Sequence, residues 1–416
     1  MTQLHKRFTD EQVRLIFKRY DEGLMTRMEI EEIIGVNKTR FFSLAKAYRL
    51  NPETFSIAYL RSSSPKLSQR VETEIKQELL RDKDLIKDPD LPIEEYNYSA
   101  LRDRLRNKDI QVSVPTIIAR AKRLDCYKSR HKSKVHDREV VTTAIGALVQ
   151  HDASLHLWSP YAQEKWTLIT SIDDYSRKLL FADFFPHETS WVHIQAAQYL
   201  MQVNGIPLSY YVDNLRVFRF IQKRDSFWRN HVLETDDVDP QWRQTMHLMG
   251  VKVTYALSPQ AKGKIERPYR WLQDRIVRTC ALDKLSSMEE VRGVLKDEID
   301  RYNNHQVHST TGEIPAIRFA KAKQQGNSLF HPFVLPKPYT SLKDVFCLRD
   351  TRTVDGYRRI SLFNKSIEVS KVPLREDVEI HLVPDLDHQT LECRIWWQQK
   401  MVHSVIYPMQ DLHVHF

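Results

Sequence analysis

Through the first 60 residues the apolar positions recur at helical spacing. Val13, Ile16, Phe17 and Tyr20 follow the i, i+3, i+4, i+7 pattern of one buried helix face. Thr9-Asp10-Glu11-Gln12 ahead of them is a capping box, with Phe8 and Val13 placed as a hydrophobic staple. Thr26-Arg27-Met28-Glu29 repeats the box, Met25 and Ile30 repeat the staple, and Gly35 supplies a C′ stop. Asn37 can cap a third helix with Phe41, Leu44, Ala45 and Tyr48 on one face. Two short helices across a tight Gly turn predict a helix-turn-helix unit over 1–60. Its third helix turns Lys38, Thr39, Arg40, Ser43 and Lys46 outward, residue types that suit phosphates and base edges.

A polar stretch, Arg61 to Lys66, reads as a linker into a second helical unit over 66–135. Helices are expected over 68–82, 98–107 and 114–125, the last with Pro115 in its first turn and an Ile117, Ala121, Leu124 seam. Arg120, Lys122, Arg123, Lys128, Arg130, Lys132 and Lys134 then stand against Asp125 alone, an excess of +6 over 120–134. Most charge runs are solvated faces, but this one prolongs a second recognition helix, so a DNA-tracking arm is the stronger reading.

From about 140 the period changes. Ala147–Leu155, Lys165–Ile172 and Lys178–Phe185 read as an antiparallel meander. A helix over 189–204, a strand at Leu208–Val212, a further helix, a strand at Val251–Ala256 and helices over 264–281 and 288–302 follow. This order predicts an α/β domain with a mixed sheet over 140–325. Beyond a Pro-studded connector, 340–416 is strand-rich, with Asp355-Gly356 as a hairpin turn signal, and reads as a small β-barrel. The fold class expected is therefore multidomain α+β.

Composition narrows the function classes. Lys and Arg number 63 against 54 Asp and Glu, so the 416-residue chain carries +9. The first 140 residues hold 29 of the basic and 22 of the acidic side chains, which points to a polyanionic partner for that end. No apolar run is long enough to span a bilayer, and the start lacks a secretory h-region. Cys126, Cys280, Cys347 and Cys393 are spaced for neither a disulfide framework nor a CxxC zinc site. A cytoplasmic, nucleoid-associated protein is expected.

Three acids stand where chemistry is plausible. Asp152 lies inside the first strand, where an unpaired carboxylate is costly to bury. Asp213 follows directly on the apolar run Leu208–Val212, and ligand sites of α/β sheets favour such strand ends. Glu266 opens the long helix within Ser258-Pro259-Gln260-Ala261-Lys262-Gly263-Lys264-Ile265-Glu266-Arg267. Taken singly, each has an ordinary reading as a surface residue, a turn residue or a helix N-terminal acid. Three converging acids repel one another, and hard divalent cations remove that conflict, which points to Mg²⁺. Two such ions suit in-line phosphoryl displacement, and Mn²⁺ can substitute. Around Glu266, Lys262, Lys264, Arg267 and Arg270 are candidate DNA contacts, while Arg275 and Arg278 fit a solvated helix face better. Asp173 and Asp174 read as turn formers, His151 as a packed histidine and Trp271 as core.

These motifs resemble the catalytic core of DDE transposases and retroviral-type integrases. Gln150–Asp152, Tyr211-Val212-Asp213-Asn214 and the Ser258–Arg267 run match its acid motifs in order. Ile172-Asp173-Asp174-Tyr175-Ser176-Arg177 and Tyr302-Asn303-Asn304-His305 with His308 match as well. The whole layout resembles bacterial insertion-sequence transposases of the ISNCY type. The resemblance implies an RNase H-like core with Asp152, Asp213 and Glu266 as both catalytic and metal-binding residues. It implies hydrolysis that frees a 3′-OH at each transposon end, followed by attack of that 3′-OH on target DNA. Implied partners are terminal inverted repeats, target DNA and at least a second copy of the chain for synapsis. Pro268, two positions after Glu266, is expected in the first helical turn, since farther in it would remove a backbone bond. The rival readings are a non-catalytic DNA-binding regulator derived from a transposase and a metal-dependent nuclease that cuts without joining.

Overall fold

The computed structural model describes residues 4–58, 67–128, 142–212, 241–255 and 263–412, with the side chains at 5, 255 and 263–267 outside that description. The chain divides into two compact units, Met1–Glu74 and Ile75–Phe416.

In the first unit, α1 (Asp10–Asp21), α2 (Arg27–Ile34) and α3 (Lys38–Leu50) start at the caps their sequences provide. Thr9 and Gln12 close one reciprocal capping box, Thr26 and Glu29 the other, and Asn37 accepts from the Arg40 N–H. Gly35 ends α2 in the left-handed conformation at φ 66°, which Gly adopts without a Cβ penalty. Val13, Phe17, Ile30, Ile34, Phe41, Leu44 and Tyr48 close a core with Phe55 and Ile57, and Phe8 and Met25 pack against it. Burying one aromatic of this kind stabilises by roughly 1.5–3 kcal/mol. The chain after α3 is clamped back onto α1: Arg14 donates twice to the Phe55 carbonyl, and the Ile57 N–H donates to Asp10.

Helices α4 (Gln69–Lys87), α5 (Tyr98–Asn107) and α6 (Val114–Arg123) follow. Asn97 and Ser113 cap α5 and α6, and Pro115 sits in the first turn of α6, where its missing N–H costs nothing.

A five-stranded mixed sheet holds β1 (Val149–His156), β2 (Trp166–Asp173), β3 (Leu179–Phe185), β4 (Ser209–Val212) and β5 (Lys252–Tyr255) in the order β3-β2-β1-β4-β5. The first three strands are antiparallel, and β4 and β5 join in parallel. Helix α7 (Ser190–Asn204) connects β3 to β4, and α8 (Gln241–Leu248) precedes β5. Then come α9 (Gly263–Asp283), α10 (Met288–Asn304) and α11 (Pro315–Gln324). The meander and the alternation expected from the change of period are both present.

Every residue of β2 is buried, because both faces of the sheet are covered. On one side Val192 and Ala196 of α7 pack on Ile169, and Trp191 and Ile194 join Val149 and Tyr210. On the other, Tyr269, Leu272 and Ile276 of α9 and Val291 and Leu295 of α10 pack on Leu168, Ile172 and Phe184.

After α12 (Leu342–Val345) come β6 (Leu348–Thr353), β7 (Arg359–Leu362), β8 (Lys365–Glu368), β9 (Asp377–Asp385), β10 (Thr390–Trp397) and β11 (Lys400–Pro408). They form a four-stranded antiparallel sheet, β11-β10-β9-β6, and a two-stranded ribbon, β7-β8. Among the described residues no ladder joins β11 to β6, so the barrel expected from the strand-rich sequence is not closed. The Asp355-Gly356 signal marks a turn between β6 and β7, where the Arg358 N–H donates to the Asp355 carbonyl at 3.2 Å, although these two strands pair with β9 and β8 and not with each other. The ribbon turns at Phe363-Asn364, both at positive φ, the backbone a two-residue type I′ turn requires. Gln241 at the start of α8 ties this region to the mixed sheet by exchanging two hydrogen bonds with the Arg349 backbone, 2.7 and 2.6 Å long.

Candidate active site

Side chains alternate across β1, and the two faces have different company. Val149 and His151 lie on the α7 face. His151 is buried, bonds Ser171 at 2.8 Å and His193 at 2.7 Å, and stacks on Trp242 at an interplanar angle of 6°. Burial, then the neighbouring His193, pushes the His151 pKa well below its ordinary value, so the ring is held neutral. It is the packed histidine that strand alternation predicts.

Gln150 and Asp152 lie on the opposite face, toward α9. The Tyr269 hydroxyl of α9 donates to the Asp152 backbone carbonyl at 2.6 Å and accepts from Thr170 Oγ1 at 2.9 Å. Burial, and next the Asp152 charge, raises the Tyr269 pKa well above normal, which keeps the hydroxyl protonated and able to donate. Sequence reasoning assigned Tyr269 no role. The available signal was its place three residues after Glu266, on the same face of the helix.

The parallel ladder pairs Val149 with Tyr210 and Gln150 with Tyr211. Val212 ends β4 one step farther on. Asp213, joined directly to Val212, lies outside the described residues. Glu266 falls in the first turn of α9, one turn before Tyr269, and its carboxylate lies outside the described side chains. Among the described residues no three His, Cys, Asp or Glu side chains converge as a metal site. Pro268 is the sixth residue of α9 rather than a first-turn residue. Helix α9 therefore lacks the bond from that position to the carbonyl four residues back.

The other matched motifs are structural. Asp173 accepts from the Gly146 N–H and from the Ser176 N–H and hydroxyl. Asp174 accepts from Gln150 at 2.5 Å, Arg177 at 2.8 Å and Thr142 at 2.8 Å. Both are buried and hold the turn after β2, with Arg177 at φ 67°. Asn303 clamps β3 by accepting from the Leu179 N–H and donating to its carbonyl. Trp271 packs edge-on against Tyr302, within the apolar cluster of α9 and α10.

Of the candidate DNA contacts, Lys38, Thr39, Arg40, Ser43 and Lys46 are exposed on α3. Lys122, Arg123, Lys128 and Arg270 are exposed too, and Arg120 is half-buried. Arg130, Lys132, Lys134 and Lys262 lie outside the described residues, as do the side chains of Lys264 and Arg267. Arg275 and Arg278 correct the expectation of a solvated face: they are 2% and 1% exposed. Arg275 pairs with Asp103 at 2.6 Å and Glu298 at 3.2 Å. Arg278 donates to the Glu95 carbonyl at 2.6 Å and faces Asp82 at 3.5 Å. Asp103 and Asp82 sit 172 and 196 positions before their arginines, so local sequence carried no sign of them.

No family model matches the chain. Two curated relatives do. The Sinorhizobium fredii protein named "Putative transposase y4bF" is 26% identical over 261 residues, 62% of this chain and 52% of its own. The Streptococcus pneumoniae transposase for insertion sequence IS1202 is 30% identical over 170 residues, 41% of this chain and 35% of its own. The chain is similar in sequence to two transposases, one of them that of an insertion sequence. It spans about half or less of the length of these transposases. Among solved structures, the HTLV-2 integrase catalytic core in complex with magnesium shares 15% identity at a TM-score of 0.31, over 42% of this chain and 96% of that one. A simian T-cell lymphotropic virus intasome chain shares 11% at 0.35, over 74% and 92%.

Proposed function

We propose that this chain is a DNA transposase that cuts transposon ends and joins them to target DNA, with Asp152, Asp213 and Glu266 as its catalytic acids. The supporting observation is the hydrogen bond from Tyr269 to the Asp152 carbonyl. It pins the helix that carries Glu266 against β1 at Asp152. The parallel β1–β4 ladder supports the reading further, since β4 ends at Val212, the residue before Asp213 in the sequence.

The donor set fits Mg²⁺. Three carboxylates are hard oxygen ligands, and Asp152 stands on the α9 face of a strand whose opposite face is packed with His151 and Val149. Bound there, two ions would supply charge neutralisation at the attacked phosphate and at both the entering and leaving oxygens. The acids would hold the ions at the scissile phosphate, which their own negative charge alone repels. In the first step water enters and the 3′ oxygen leaves as a 3′-OH. In the second that 3′-OH enters and a target-strand 3′ oxygen leaves, so the number of phosphodiesters is unchanged. Tyr269 touches no reacting atom; it fixes where Asp152 stands.

Basic side chains on α3 and on and after α6 supply the non-specific part of DNA affinity in this reading. Synapsis of two ends calls for at least a homodimer. Among the described residues no helix is long and apolar enough to cross a membrane.

The test is cleavage and strand transfer in Mg²⁺ on DNA bearing the element's ends. Asp152→Asn, Asp213→Asn and Glu266→Gln should each bind ends as the parent does and lose cutting and joining by on the order of a thousandfold. Unchanged activity in all three sinks the assignment. Cutting without joining favours the nuclease, and end binding without any cutting favours the regulator.

A further inference from the structure

Helix α9 has two working faces. One packs on the sheet through Tyr269, Leu272 and Ile276. The other meets the helical segment 75–126: Val277 and Ala281 pack on Ile93, flanked by Leu85, Ile86 and Leu91. Around that small apolar patch runs a buried ionic seam. Arg275 reaches Asp103 on α5, and Arg278 reaches Asp82 on α4 and the Glu95 carbonyl before α5. Arg104 of α5 ties the seam together from within the segment, bonding Glu78 at 2.7 Å and Asp82 at 2.6 Å. Asn97 donates to Asp274, so the cap of α5 is itself fastened to α9.

An apolar seam would hold these helices at least as firmly, because buried ion pairs recover little net stability. What ion pairs add is register. A slide of α5 along α9 by one turn, about 5.4 Å, keeps an apolar interface but breaks the Arg275–Asp103 and Arg278–Asp82 pairs, leaving each buried charge only the partners on its own side, Glu298 and Asp274 for the arginines and Arg102 and Arg104 for the acids. The burial makes that penalty large: Asp82, Asp103, Arg275 and Arg278 are each no more than 3% exposed.

We propose that Arg275 and Arg278 are positioning residues that fix the segment 75–126 at one offset along α9, and so select which phosphodiester of a bound end meets the acids. This rests on the transposase reading above. It adds that end recognition and cut position are linked through this seam. Lys122, Arg123 and Lys128, exposed on and after α6, stand on the segment whose offset the seam sets.

The experiment maps cut positions on end-labelled DNA with the full chain, in Mg²⁺, for the parent, Asp103→Asn, Arg275→Lys and Arg278→Lys. The parent should cut one phosphodiester. Asp103→Asn should bind ends within about twofold of the parent, since phosphate-binding side chains are untouched, yet spread its cuts over neighbouring phosphodiesters. The two Lys variants, which keep the charge but lose the fork, should spread less. A merely structural role would change the amount of cutting and leave one sharp position. Sharp cutting at the parental position in all three variants overturns the inference and leaves the transposase reading standing. If Asp103→Asn does not fold, the two Lys variants decide by the same readout. A parent that cuts nothing overturns the transposase reading itself, and this inference with it.

Discussion

The hydroxyl of Tyr269 and the backbone carbonyl of Asp152 are 2.6 Å apart and hydrogen-bonded. The bond joins the helix bearing one proposed acid to the strand bearing another, through a group that is not itself an acid. Tyr269→Phe removes it and leaves the ring in place. Leaving the half-buried Asp152 carbonyl without this donor should cost about 1 kcal/mol. Urea melts should show that loss. If it falls on the reacting geometry, cutting should slow about tenfold for each 1.4 kcal/mol while end binding holds. Full cutting activity with normal stability would show that Tyr269 does not position Asp152.

Metal binding can be read without activity. Where Mg²⁺ binds only the folded chain, it should raise the melting temperature, by about 2.7 kcal/mol of added stability at a hundredfold excess over Kd. Asp152→Asn and Asp213→Asn should lose most of that gain. A parent indifferent to both Mg²⁺ and Mn²⁺ would contradict the proposed ligand set.

Asp174 serves as a contrast to Asp152. Its carboxylate collects Gln150, Arg177 and Thr142 and is 1% exposed. Asp174→Ala leaves Arg177 buried without its partner, which should destabilise by about 3–5 kcal/mol. Thermal melts should register the loss, whereas Asp152→Asn should melt near the parental temperature in the absence of metal.

Asp344 makes the C-terminal sheet acid-sensitive. It is fully buried and accepts from Arg394 twice, Trp396 and His381. Burial opposes its ionisation, but the Arg394 and His381 hydrogen bonds outweigh it and hold the pKa below the ordinary 3.8. A depressed carboxyl stabilises the fold above its unfolded value, and that stability drains as pH falls through 3.8 and on through the folded value. Chemical melts from about pH 6 downward should show this acid limb, at about 1.36 kcal/mol per unit of pKa difference. Asp344→Asn should be less stable at neutral pH and lose that part of the slope.

The basic surface after α6 predicts a salt signature. Replacing Lys122, Arg123 and Lys128 by Gln should flatten the plot of log affinity against log salt, by about 0.9 for each phosphate no longer neutralised. An unchanged slope would remove these residues from the DNA interface.

The sequence was most legible where structure is made locally. The Thr9–Gln12 and Thr26–Glu29 boxes, the Asn37 cap and the Gly35 stop all stand where the sequence places them, because each is decided within one turn of helix. The strands of the mixed sheet were legible from their apolar runs. Long-range electrostatics were not. Arg275 and Arg278 follow Trp271 and Asp274 on a charged helix, and acids on α4 and α5, nearly two hundred positions earlier, together with Glu298 on α10, make them interior. The Phe363-Asn364 turn was missed for a related reason. Neither residue is Gly; Asn364 tolerates positive φ by its own preference, but that of Phe363 is set by the ribbon around it. Asp152 is legible from its place in a strand, but Tyr269, which holds it, reads from sequence as one more aromatic on an amphipathic face.

The seam along α9 also bears on inheritance. Ends and enzyme must match in any mobile element, and a new end sequence could in principle be acquired by exchanging only the helices that bind it. Here a chimera that imports a foreign 75–126 segment would take from Arg275 and Arg278 their partners across the seam, leaving them Glu298 and Asp274 alone, unless acids came with it at the positions of Asp82 and Asp103. On the transposase reading proposed above, the segment and α9 form a single unit of exchange, and divergence in end specificity proceeds by substitution on the outer face of α6, residue by residue, with the inner face of the segment held constant.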